Sequence, residues 1–327
     1  MEGTTLRRLL VTAACLWAHA GMAADALPSD VLLFNSNRTG NYEIFRVGVD
    51  GRNTKQLTHD EAQDSWWPKP SPDRRQILFV RAPKGRHDDY AYASIWVMDA
   101  DGSNAKAILP HRAHGWKLQA HPEWSPDGRR IALAAGSTSN PQIYLVDADG
   151  TKPVRLTSNG RGGNRGGTNI DPSWKPDGEH LLFIGCPRAW CLRKDYEVYR
   201  IRRDGTQETR LTFNDKPDFD PYYSPDTTGF PGTGTIAWLE NTGSITHWSI
   251  RRMHADGSNI GTVIDDGGIN SKPAWSLDSR YIYFHRLPPK TPGLFNVWRI
   301  RPDGSGLEEL IVPRPAYVNE YPVTGLN

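Results

Sequence analysis

Six residues of unlike chemistry stand immediately before a proline at one recurring place in the chain: Trp67, His121, Asp171, Asp220, Lys272 and Tyr321. Asp171, Asp220 and His121 are ligand types that can hold a cation, and Lys272 with His121 can meet an anion. Scattered along the chain rather than set at ligand spacing, they make no metal-binding motif by themselves. A second set lies three residues before each of these prolines: Ser65, Gln119, Asn169, Asp218, Asn270 and Asn319. These are small or amide-like, and short polar side chains of this kind are expected to tie down loop backbone. Asp218 and Asp220 can divide acid and base roles only if burial separates their pKa values.

Other catalytic signatures are missing from the sequence. There is no Gly-x-Ser-x-Gly elbow, no His-Glu-x-x-His helix and no Gly-x-Gly-x-x-Gly after a strand. Ser158–Asn169 is rich in glycine, but an extended segment follows it rather than the helix N-terminus that phosphate binding needs. It reads as a surface loop in which Arg161 and Arg165 can contact a partner. Asp265-Asp266 reads as a solvated turn. Tyr90, Tyr92, Trp116 and Trp190 lie in or beside other long loops and are the expected aromatic anchors for a partner.

The elements that must position these residues repeat. Asp-Gly pairs occur at Asp50-Gly51, Asp101-Gly102, Asp149-Gly150, Asp204-Gly205, Asp256-Gly257 and Asp303-Gly304, a period that marks propellers and arrays. Ahead of each lies a short apolar run, such as Ile143-Tyr144-Leu145-Val146, and Asp-Gly is itself a hairpin signal. Ser-Pro-Asp turns stand at Ser71, Ser125 and Ser224, with Lys175-Pro176-Asp177 and Ser276-Leu277-Asp278 as variants. Proline presets the φ angle that such a turn needs. One unit therefore predicts four short antiparallel strands, with the pre-proline residues on the innermost.

The first unit, beginning at Val31, has no inner strand before it, and Asn319–Val323 resembles the lead-in Asn270–Ala274. The C-terminus is expected to supply the missing strand and close the ring, removing two raw edges. The expected fold is all-β: a closed six-bladed β-propeller of four-stranded antiparallel blades, with the C-terminal strand completing blade one. The blades span approximately 31–58 with 319–325, 66–110, 119–158, 169–213, 219–264 and 271–312, within one domain over 24–327. In such blades the Ser-Pro-Asp and Asp-Gly turns share one face. The long irregular loops and the blade crossings share the other, where recognition is expected.

Residues 1–23 read as a secretory signal peptide, with Arg7-Arg8 before an apolar stretch and small residues at the cleavage site. Its removal takes Cys15 and leaves Cys186 and Cys191, expected to form one disulfide in an oxidising compartment. The charge balance then becomes 39 − 2 = 37 basic against 37 − 1 = 36 acidic residues, which gives no reason to expect nucleic acid or an anionic membrane as partner. The mature chain is expected to be periplasmic or secreted, without a transmembrane segment, and monomeric. No cofactor is expected, a channel cation being the alternative.

The repeats resemble a known family. Ser36-Asn37-Arg38-Thr39-Gly40-Asn41-Tyr42-Glu43-Ile44-Phe45, Trp124-Ser125-Pro126-Asp127-Gly128 and the Asp-Gly…Leu-Thr elements are similar to the WD40-like (PD40) repeats of TolB-type propellers. The resemblance runs over nearly all of the mature chain and is specific for fold. The family's namesake is periplasmic, carries an α/β domain before its propeller, and contacts an outer-membrane lipoprotein and inner-membrane partners. This sequence is similar to the propeller alone, since Val31 already begins a blade. Related propellers accompany serine peptidases, and one in pectin-degrading lyases holds a metal through several His, a pattern the scattered His here do not match. Two functions follow as expectations. The first is a non-enzymatic scaffold that binds a protein or cell-envelope component through its long-loop face. The second is a lyase or hydrolase acting on carbohydrate or peptide at the channel mouth.

Overall fold

The computed structural model describes residues 25–158, 167–186, 193–225, 234–244, 247–291, 294–310 and 319–323. The proposed signal peptide, Arg161, Arg165, Trp190 and Cys191 lie outside them, and of Asn319 and Tyr321 only the backbone is described.

Strands β1 (Val31–Ser36), β2 (Glu43–Gly48) and β3 (Lys55–Gln56) begin the chain. A second sheet contains β4 (Gln63–Pro70), β5 (Gln76–Pro83), β6 (Ser94–Asp99) and β7 (Lys106–Leu109). A third contains β8 (Leu118–Trp124), β9 (Arg130–Ser137), β10 (Asn140–Asp147) and β11 (Val154–Arg155). The fourth contains β12 (Asn169–Trp174), β13 (His180–Gly185), β14 (Glu197–Arg202) and β15 (Thr209–Arg210). Then come β16 (Asp218–Tyr223), β17 (Thr235–Ser244), β18 (His247–His254), β19 (Gly261–Ile264), β20 (Ile269–Trp275), β21 (Ile282–Leu287), β22 (Asn296–Ile300) and β23 (Glu308–Glu309). These last eight make two four-stranded antiparallel units, bridged by one parallel pair, Trp248 with Ile269. β24 (Asn319–Val323) lies antiparallel to β1 in the first sheet, with Leu33 opposite Val323 and Asn35 opposite Glu320. The protein is an all-β propeller of four-stranded antiparallel blades. Among the described residues no helix is long and apolar enough to cross a membrane.

The repeated motifs have local reasons. In Ser-Pro-Asp turns the Ser125 hydroxyl donates to Asp127 at 2.6 Å and accepts from the Arg130 N–H, while Asp127 accepts from the Arg129 N–H. Ser71 with Asp73 and Ser276 with Asp278 repeat the arrangement. Each Asp of the Asp-Gly hairpins accepts the N–H two residues on, as Asp50 does from Arg52 and Asp303 from Ser305, an Asx turn. The threonine of the Leu-Thr element accepts an N–H from the first half of the third strand: Thr58 from Ile44, Thr157 from Ile143 and Thr212 from Val198. The hydroxyl thus satisfies a donor where the short outer strand has ended.

The hairpin glycines are also packing residues. Gly51 and Gly304 have φ of +79° and +87°, which suits glycine. A Cβ on Gly51 would overlap the Leu310 carbonyl oxygen, one on Gly102 that of Leu57 and one on Gly150 that of Ile108. One on Gly205 would come within 3.1 Å of the Leu156 carbonyl, on Gly257 within 3.5 Å of Leu211's, and on Gly304 within 2.8 Å of Val263's. Each hairpin tip therefore seats on the end of the preceding unit's outer strand, and the first unit seats on the last. Apolar clusters fill the spaces between sheets; Phe34, Phe45 and Val47 pack with Tyr283 and Val297, again joining first to last.

Candidate functional site

Each inner strand breaks at its Xaa-Pro step. The pairing of β4 with β5 shifts register between Trp66 and Lys69, and the same shift recurs in β8, β12, β16 and β20. Proline has no N–H to give the ladder, so the strand bulges there and re-aims a side chain. The pre-proline residues Trp67, His121, Asp171, Asp220 and Lys272 all have left-handed φ, between +46° and +56°. Non-glycine residues rarely adopt this conformation, which costs on the order of 1–3 kcal/mol each and persists only where surroundings enforce it.

The bulges bring these five side chains together. His121 Nδ1 is 2.5 Å from Asp171 Oδ1, and Lys272 Nζ donates to Asp220 Oδ1 at 2.9 Å. The Asp220 N–H reaches Asp171 Oδ2 at 3.4 Å, linking the two acids. The Trp67 ring lies 4.7 Å from that of His121 and 4.6 Å from the Lys272 ammonium. Burial pushes the Asp171 carboxyl up, but His121 and Lys272 outweigh it and hold the group below the usual carboxylate range. Asp220 goes the other way: burial raises it, Lys272 opposes, and the neighbouring Asp171 charge adds to the rise. Burial depresses Lys272, yet the two carboxylates raise it further, so it remains an ammonium.

One step deeper lies a layer that the sequence analysis missed. Lys69 pairs with Glu123 at 2.8 Å with both side chains buried, and Lys69 donates to the Tyr222 hydroxyl at 3.2 Å. These residues immediately follow the bulge prolines, in Trp67-Pro68-Lys69, His121-Pro122-Glu123 and Asp220-Pro221-Tyr222. That shared position was the signal available for finding them. A half-open pocket of about 20 Å³ lies against Trp67, Lys69, Tyr222, Lys272 and Pro322, room for about one water. Among the described residues no group of three or more His, Cys, Asp or Glu side chains is arranged to hold a metal ion.

The rim above includes further residues not singled out from sequence. The His87 ring stacks on Tyr42 at 3.6 Å, and its Nε2 lies 3.5 Å from Glu320 Oε2 on β24. Burial, with Asp88 nearby, pushes the Glu320 carboxyl up to about 8. Tyr90 belongs here rather than on an outer contact surface: its ring lies 4.6 Å from His121 and its hydroxyl accepts from Trp66.

Another expectation is corrected. Trp116 is only 7% exposed and packs on Tyr144 inside a core cluster, so it is not a surface anchor. Tyr92 is 43% exposed, with the Arg86 guanidinium 4.2 Å above its ring. Two of the residues three before the prolines tie down backbone, as expected of short polar side chains: Gln119 donates to the Ala93 and Pro110 carbonyls, and Asn270 to that of Trp248. Asp265 and Asp266 are exposed between β19 and β20, as the reading of a solvated turn expects, and Asp266 in addition pairs with the buried guanidinium of Arg286. Cys186 is disulfide-bonded, and Cys191 lies outside the described residues.

Comparison with known proteins agrees with this architecture. An uncharacterized protein of Agrobacterium fabrum is 36% identical over 103 residues, 31% of this chain and 34% of that protein. A TolB homolog of Chlorobium luteolum is 28% identical over 165 residues, 49% of this chain and 34% of that protein. The chain thus spans about a third of the length of these curated relatives. The crystal structure of TolB from Acinetobacter baumannii shares the fold with a TM-score of 0.69 at 18% identity, over 90% of this chain and 66% of that one. The profile of the TolB beta propeller domain matches residues 93–285, more than half the sequence, and the chain therefore belongs to the TolB β-propeller family.

Proposed function

We propose that the protein is an exported TolB-like propeller, closed as six four-stranded blades, which acts as a non-enzymatic scaffold and binds a protein or cell-envelope component through its long-loop face. The observation that carries this reading is the pairing inside the channel. Lys69 with Glu123, His121 with Asp171, and Lys272 with Asp220 join different inner strands. These groups neutralise one another and brace the blades. Ring closure is supported by the seat of Gly51 on Leu310 and by the β24–β1 pairing.

On the long-loop side, Tyr92 and Arg86 make an exposed aromatic–cationic pair, and a groove of about 410 Å³ runs along Gly267–Ile269 and Leu287–Thr291. Aromatic and arginine side chains of this kind favour protein contacts. On this reading the protein works as a monomer in the periplasm or outside the cell and needs no cofactor, the Lys272 ammonium serving as the channel's own cation. The test is crosslinking in envelope extract with the wild type and an Arg86→Ala, Tyr92→Ala variant. Loss of specific crosslinks supports the reading, and an unchanged set of partners overturns it.

A second reading is an enzyme at the channel mouth, a lyase or hydrolase. One observation favours it: a buried acid holds the His121 imidazole 2.5 Å away on strained backbone, as in general-base pairs. Cleavage of a polyuronate or peptide that disappears in Asp171→Asn would support it. Absence of cleavage by the wild type would remove it.

A further inference from the structure

We propose that the opposite, short-turn face carries a second binding site: an arginine-lined groove between the β8–β11 and β12–β15 blades that takes an acidic polypeptide segment. The groove has a volume of about 820 Å³, within the range of ligand sites. Arg129, Arg130 and Arg155 line it from one blade and Arg203 from the other. Val154, 52% exposed, adds an apolar contact on the same surface. Buried Trp174 lies in the lining, with an indole N–H that has no protein partner among the described residues.

The charges are not equivalent in what they can offer a ligand. The acids of the lining are engaged by their own turns. Asp127 accepts from Ser125 and the Arg129 N–H, Asp177 from Lys175 and the Glu179 N–H, and Asp204 from Thr206. Among the described residues Arg129, Arg130 and Arg155 form no ion pair, and Arg203 shares the exposed Glu179 at 3.2 Å. Guanidinium groups on long stems can fork onto carboxylates, which gives the groove its preference for an acidic strand.

The repeat itself indicates that two of these arginines are not needed for the scaffold. The residue before Asp-Gly is Val49, Ala100, Ala148, Ala255 or Pro302 in the other units, and Arg203 only here. The backbone role is the same wherever that residue has an N–H: Arg203 donates to the Glu179 carbonyl as Ala148 does to that of Arg129, and Pro302 alone has none to give. Likewise Arg130 stands where the matching turns carry Gln76, His180 and Tyr281. Both departures face one groove from its two walls.

The test uses fluorescence anisotropy with a labelled Glu-rich peptide of about a dozen residues and a central leucine, on the full chain at low salt. Arg130→Gln with Arg203→Ala installs residues that the other repeats already carry, and thermal melting verifies that it folds. The expected result is saturable binding by wild type, weakened about tenfold or more in the double variant and by added salt. Arg280→Ala, on a turn outside the groove, should leave it unchanged. No saturable binding, or equal binding by the double variant, overturns the proposal. Displacement of the peptide by an equal concentration of inorganic phosphate would make this a small-anion site and also overturn it.

Discussion

Gly51 and Leu310, from opposite ends of the chain, meet so closely that a methyl group on the glycine would overlap the leucine carbonyl. The same contact joins Gly102 to Leu57, Gly150 to Ile108 and Gly304 to Val263, so the seam between the ends is built like the seams between neighbours. Gly51→Ala should destabilise the protein by about 2–4 kcal/mol, from positive φ and the overlap together. Gly40→Ala, with positive φ but open space around it, should cost less, about 1 kcal/mol. Urea denaturation of the two variants measures the difference, and equal costs would mean that the first seam is not packed like the others.

The Lys69–Glu123 pair should be costly to break and cheap to replace. Lys69→Met leaves Glu123, whose pKa burial already raises against the pull of Lys69, without its ammonium. The expected loss is about 3 kcal/mol, and adding Glu123→Gln should recover most of it. A double-mutant cycle by chemical denaturation reads the coupling; additive effects would mean that the pair does not act as a unit.

Glu320 on β24 should make the first blade pH-sensitive. Burial raises its carboxyl from 4.5 to about 8 in the folded state. The folded protein therefore binds the proton more tightly than the unfolded chain. The associated stability is present in full below pH 4.5 and is lost as pH rises toward about 8, by up to about 4–5 kcal/mol. Glu320→Gln should remove this slope. Melting temperatures of both proteins between these limits provide the check, and parallel profiles would contradict the assignment.

Trp116 and Tyr92 should separate stability from recognition. Trp116→Ala empties a core position and should cost about 3–5 kcal/mol. Tyr92→Ala should change stability by no more than about 0.5 kcal/mol while weakening partner capture on the long-loop face. Denaturation midpoints paired with capture assays distinguish the two; a destabilised Tyr92→Ala would mean that this ring is structural.

The strand pattern was legible because the turn residues state their geometry locally. Ser125, Asp127 and Gly128, or Asp149 and Gly150, form turns with their own neighbours, so spacing alone locates them. The pre-proline residues were legible as a set for the same reason, since each precedes a ladder-breaking proline. Their pairing was not. Nothing in spacing couples His121 to Asp171 while sending Lys272 to Asp220, or reveals that Lys69 and Glu123 pair one layer below. Trp116 was misread because an aromatic residue before a strand looks the same whether it turns inward or outward.

The sequence by itself determined the all-β repeat, its turns and the positions where each inner strand must bulge, because these depend on interactions within a few residues. Only the tertiary structure decided which ionisable groups meet in the channel, that Tyr90 faces His121, and that Arg130 and Arg203 share a groove. Those depend on distances between blades, which the packing of separate sheets sets and no local pattern encodes.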